Sequence, residues 1–124
     1  MNIPIRFDLH INAQKIIDAI KAGLDPHRAN KGGEPRSVWW QRVQHAQSGG
    51  ELMDIYEAPL RGSHLSVWVL GVEYNLDENA VRRAIQILAE KYPKSFGDML
   101  FGYYSQGAAD RFVQCALFGE VRHA

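Results

Sequence analysis

The chain has 124 residues, 46% of them hydrophobic and 23% charged, with 14 basic and 14 acidic side chains in balance. These are values for one globular domain with a core of its own, spanning residues 1–124. A formal net charge of zero argues against capture of nucleic acid by the whole surface, and it excludes an acidic mimic of DNA.

The N-terminal stretch alternates Ile3, Ile5, Phe7, Leu9 and Ile11 with Pro4, Arg6, Asp8 and His10. That period predicts a half-buried strand with one wet face, and it is not the continuous apolar run of a signal peptide. Pro4 lacks an N–H and belongs at a strand start or a sheet edge. Asn12 predicts the cap of a helix bearing Ile16, Ile17 and Ile20, and Gly23 predicts its end in a left-handed turn.

Residues 25–36 carry two prolines and a Gly-Gly pair and predict a long loop. Ser37 then predicts the cap of a helix through residue 47, with Val38, Trp39, Val43 and Ala46 as its apolar positions. Residues 51–58 read as a strand. It is expected to pair, through the turn at 59–63, with a long strand at 64–74. That strand shows apolar groups on both faces: Leu65, Val67 and Val69 on one, Trp68, Leu70 and Val72 on the other. Gly71 interrupts it and predicts a bulge or a close backbone approach.

Asp77 predicts the cap of an amphipathic helix with Val81, Ala84, Ile85, Leu88 and Tyr92 on one stripe. Leu76 and Val81 fit a hydrophobic staple, and Pro93 stops the helix. Ser95, with Asp98 three residues on, predicts the cap of a short helix. A last helix carries Ala109, Phe112, Val113, Ala116 and Leu117 and ends at Gly119. The expected fold is α+β: a small three-stranded, mainly antiparallel sheet with about five helices packed mostly on one face.

Chemistry-bearing motifs are scarce. The chain has no phosphate loop, dinucleotide fingerprint, nucleophile elbow, paired-cysteine zinc spacing or zinc-protease helix. No cofactor is expected. Asp8 and His10 share one strand face, and His64 could join them as a third ligand. They are the weak metal or acid–base candidates, and the simpler reading is polar residues on a wet strand face. Cys115, the sole cysteine, lies in an apolar helix and is expected to be a buried, inert thiol. With no disulfide and no span-length apolar run, a cytoplasmic protein off the membrane is expected.

The richer constellation is Arg28, Lys31, Arg36 and Arg42 around Trp39 and Trp40. Adjacent tryptophans on one helix diverge by about 100°, so both cannot face one core. Either Trp40 covers the core's edge, or it stands exposed among arginines as a protein-binding hot spot. Tyr103 and Tyr104, set between glycines, form a second candidate contact surface. In its size, neutral charge and lack of catalytic motifs, the chain is similar to small bacterial and phage proteins that act by binding another protein.

The expectation is therefore a non-enzymatic inhibitor, adaptor or accessory factor, using Arg28, Lys31, Arg36, Trp40, Arg42, Tyr103 and Tyr104. One alternative is a nucleic-acid-binding module built on the basic segment 28–42. A helix-turn-helix at 77–101 is disfavoured, because its second helix lacks base-reading side chains. Another alternative is a small enzyme using Asp8, His10 and His64. Surplus apolar surface on the long strand also raises pairing of two copies.

Overall fold

The computed structural model describes residues 12–24, 39–45, 55–102 and 106–123. In chain order these form α1 (Ala13–Gly23), β1 (Arg42–His45), a 3₁₀ helix (Ile55–Leu60), β2 (Leu65–Val69), β3 (Val72–Leu76), α2 (Glu78–Lys91), α3 (Pro93–Leu100) and α4 (Gln106–Phe118). The three strands make one antiparallel sheet in the order β1-β2-β3. The fold class is α+β, as expected, but it is assembled from different segments.

The register explains the two faces of the sheet. Val43, Val67 and Tyr74 stand opposite one another, as do His45, Leu65 and Leu76. This face is covered by the helices: Leu65, Val67 and Leu76 are wholly buried, together with Ile20, Leu88, Phe112 and Val113. The other face carries Arg42, Gln44, Ser66, Trp68, Glu73 and Asn75. α4 is the hub of the helical layer, packing against α1, α2 and α3 and touching β3.

Several local expectations hold. Asn12 caps α1, its side chain accepting from the Gln14 amide at 2.7 Å. Asp77 caps α2, accepting from the Ala80 amide at 2.8 Å. Leu76 and Val81, the staple pair, are both buried. Gly119 follows α4 with φ 75°, its amide donating to the Cys115 carbonyl.

Others are corrected. The long strand at 64–74 is two strands joined by a two-residue turn at Leu70 and Gly71, both with positive φ (51° and 80°). Folding back brings Val72 opposite Val69 and onto its face. The second apolar face seen in the sequence was thus partly an artefact of reading one unbroken alternation. The partners of β2 are β1 and β3, and residues 55–58 of the expected strand at 51–58 wind into the 3₁₀ helix, which buries Ala58 and Pro59.

The helix expected at 37–47 is a strand over Arg42–His45. Val43 suits either period, and pairing with β2 decides between them. Gly23 lies inside α1 and is not left-handed; Leu24 ends the helix with φ −112°. Glycine is required at 23 for another reason. A Cβ there would stand 2.5 Å from Val113 Cγ2 and 2.7 Å from the Ala109 carbonyl oxygen, so the bare backbone lets α1 close onto α4.

Ser95 does not cap α3. Pro93 opens that helix, and Ser95 is buried within it, accepting from Arg111 at 3.0 Å. α2 and α3 are separated by Tyr92 alone, which leaves no turn for a helix-turn-helix. The first strand expected at 3–11 and the loop at 25–36 fall outside the described residues. No described helix is long and apolar enough to cross a membrane.

Candidate functional site

The β2–β3 turn is the most unusual surface feature. Two-residue hairpin turns with positive φ at both positions favour Asn, Asp and Gly, because a Cβ crowds the following carbonyl in that conformation. Here the first position is a leucine, at a cost of about 1–2 kcal/mol. Its side chain is not tucked away: Leu70 is 82% exposed, and Val72 beside it is 52% exposed.

The tip is nevertheless held firmly. Gln41, just before β1, donates its backbone N–H to the Trp68 carbonyl at 2.7 Å. Its side-chain Oε1 accepts from the Gly71 amide at 2.9 Å. One residue thus ties both sides of the turn, so the leucine is presented and not merely left loose.

Arg42 and Trp68 are direct cross-strand neighbours on the open face. The Arg42 guanidinium lies 4.0 Å from the centre of the Trp68 ring. Such a contact contributes about 0.5–1 kcal/mol at an exposed site and flattens the arginine over the indole. Beyond them the Ser66 hydroxyl donates to the Glu73 carboxylate at 2.9 Å. The end of the sheet therefore offers a planar cation on an aromatic ring on its open face, Leu70 exposed at the turn, and Val72 half-exposed on the opposite face.

Behind β1 lies an aromatic cluster on α4. Trp39 packs against Phe118 with ring centres 5.5 Å apart, and Phe118 meets Tyr74 edge-on at 5.0 Å. The His123 ring stacks on Trp39 at 5.4 Å with the planes 4° apart. The Trp39 indole N–H donates to Asp110 at 2.6 Å. Both tryptophans of the adjacent pair pack against the core and remain partly buried.

Of the contact residues expected from sequence, Arg42 is exposed at the tip end of the sheet, while Trp40 lies against the core. Arg28, Lys31, Arg36, Tyr103 and Tyr104 fall outside the described residues. Phe101, 77% exposed at the end of α3, is an aromatic group close in sequence to the tyrosine pair. Trp68, Leu70 and Val72 were legible only as surplus apolar surface, which the sequence tied to pairing of copies.

His64 is half-buried just before β2, while Asp8 and His10 lie outside the described residues. Among the described residues no three His, Cys, Asp or Glu side chains gather as a metal-binding group. Cys115 is fully buried in α4, and burial pushes its thiol up to about 11, against a smaller opposing pull from Lys91. At neutral pH it carries no thiolate to act as a nucleophile. His45 sits in β1, with its Nε2 buried and without a hydrogen-bond partner among the described residues.

Comparison with protein-family models, with curated proteins and with solved structures finds no match to this chain.

Proposed function

We propose that this protein works without catalysis, by binding another protein, and that the β2–β3 hairpin tip is its contact. Leu70 is the observation that carries the reading. A large apolar side chain is held in water, in a backbone conformation it disfavours, on a turn braced by Gln41. Folding gains nothing from that arrangement, whereas an apolar pocket on a partner would. Arg42 over Trp68 on the open face supplies residue types that dominate protein-contact energetics, and the half-exposed Val72 adds apolar surface on the other face. An inhibitor, adaptor or accessory factor needs no more than such a surface.

The test is capture of a protein partner from native lysate by the tagged chain, in the presence of nuclease. Leu70→Asn is expected to abolish stoichiometric capture while the domain remains folded. Capture that survives the substitution would remove the tip from the contact. Retention that disappears with nuclease or with rising salt would favour the basic segment 28–42 and nucleic acid instead.

A further inference from the structure

Gln114 is wholly buried in α4, yet every hydrogen-bonding position of its amide is used. Its Oε1 accepts from the backbone N–H groups of Arg122 at 2.8 Å and His123 at 2.7 Å. Its Nε2 donates to the His123 carbonyl at 2.8 Å and to Asp110 Oδ2 at 2.7 Å. The segment after Gly119 is thereby bound by its main chain, as an extended peptide would be. Arg122 adds a contact over the Phe118 ring at 4.8 Å and pairs with Glu120 at 3.0 Å.

This network does not stop at α4. Asp110 uses one carboxylate oxygen for Gln114 and the other for the Trp39 indole. The His123 ring, fixed through its own backbone on Gln114, lies flat on the same indole. Trp39 is thus gripped from two sides. Gln41 follows two residues later and makes both bonds that brace the hairpin tip. Two residues span at most about 7 Å, so Gln41 cannot stay in place if Trp39 moves far.

We infer that Gln114 and Asp110 are positioning residues for the hairpin tip, and that residues 119–123 form a latch that sets where Leu70 stands. The path runs from the latch backbone to Gln114, Asp110 and Trp39, then along three residues of chain to Gln41 and Gly71. Both ends of this path lie on separate elements, and the connection depends on side-chain bonds, which a partner or a substitution can break. Its role in recognition rests on the proposed contact at the tip; the coupling itself can be measured with no partner.

Amide hydrogen exchange tests it. The tip is read at Gln41 and Gly71, and the reference is the buried Ala84 amide of α2. In Gln114→Leu the tip amides are expected to exchange roughly threefold to tenfold faster than any change at Ala84 accounts for, the range of one modest hydrogen bond. Trp39→Phe keeps an aromatic ring in place but removes the pyrrole part of the indole together with its N–H donor to Asp110. It is expected to move the tip amides in the same direction by a smaller factor, and it decides the matter if Gln114→Leu fails to fold. Tip amides that shift only in step with Ala84 in Trp39→Phe would overturn the latch. That result would leave capture through Leu70 standing, whereas capture unaffected by Leu70→Asn would remove the contact and leave the exchange result intact.

Discussion

The hairpin tip and the interior of α4 break the usual rule in opposite directions. At the tip a leucine stands in water; in α4 a glutamine stands in the core. The glutamine is accounted for within the molecule, because all four positions of its amide are bonded to Asp110 and to the latch backbone. The leucine is not accounted for within the molecule. Its conformation is disfavoured and its side chain is mostly exposed. An exception that the fold satisfies is a structural device, and one that the fold leaves open points outward.

The largest expected effect lies inside α4. Gln114→Leu keeps the volume but strips partners from Asp110 and from the backbone of Arg122 and His123. A loss of about 2–4 kcal/mol is expected, seen as a lower denaturant midpoint with little change of slope. A variant as stable as the parent would show that the network is ornamental and would erase the contrast with Leu70.

The same helix makes a pH prediction. Burial holds the Cys115 thiol protonated up to about 11 in the folded chain, against an ordinary value of 9.0. The folded state therefore keeps this proton longer than the unfolded state. Its contribution to stability is complete below pH 9 and is lost as the pH rises through 11, amounting to about 2–3 kcal/mol. Denaturation series at pH 8 to 11 should show that extra decline in the parent and not in Cys115→Ala, with other titrating groups common to both.

At the tip the expected signs are mixed, and that is the sharper test. Leu70→Asn relieves the left-handed strain and should raise stability by about 1 kcal/mol. It should also weaken partner capture by about 2 kcal/mol or more, near 30-fold. Higher stability with binding intact would make Leu70 an accident of sequence.

The smallest effect belongs to Arg42→Ala. Losing the ring contact should cost no more than about 0.5–1 kcal/mol of stability, and partner dissociation should quicken modestly. A large loss of stability would mean that the open face of the sheet serves the fold and is not free for a partner.

Legibility in the sequence followed the range of the physics. The caps Asn12 and Asp77 and the glycine stop at Gly119 could be read directly, because each depends on neighbours within a few residues. The strands could not, because Val43 and Val67 are 24 positions apart and choose each other only in three dimensions. The fold class survived that error, since the helical stripes already required a sheet of about this size beneath them. The turn escaped notice because Leu-Gly lacks the Asn-Gly signature.

The candidate site was legible in one residue. Arg42 was singled out for its basic and aromatic neighbourhood, but the ring it meets is Trp68, not the adjacent Trp40. Gln114 was invisible for the converse reason. Among Phe112, Val113 and Cys115 it looked like a polar break in an apolar run, and the returning chain at 122–123 supplies three of its four bonds.

The close approach at Gly23 bears on how this chain can drift. An added methyl group there would meet the flexible end of Val113, which a second substitution could shorten, but it would also meet the backbone carbonyl of Ala109, which none can remove. Ala109 adjoins Asp110, so parting the two helices would disturb the grip on Trp39. Position 23 is therefore a site without compensating neighbours. Descendants of this sequence are expected to vary widely around it while keeping glycine there, a residue chosen for the space it leaves to others.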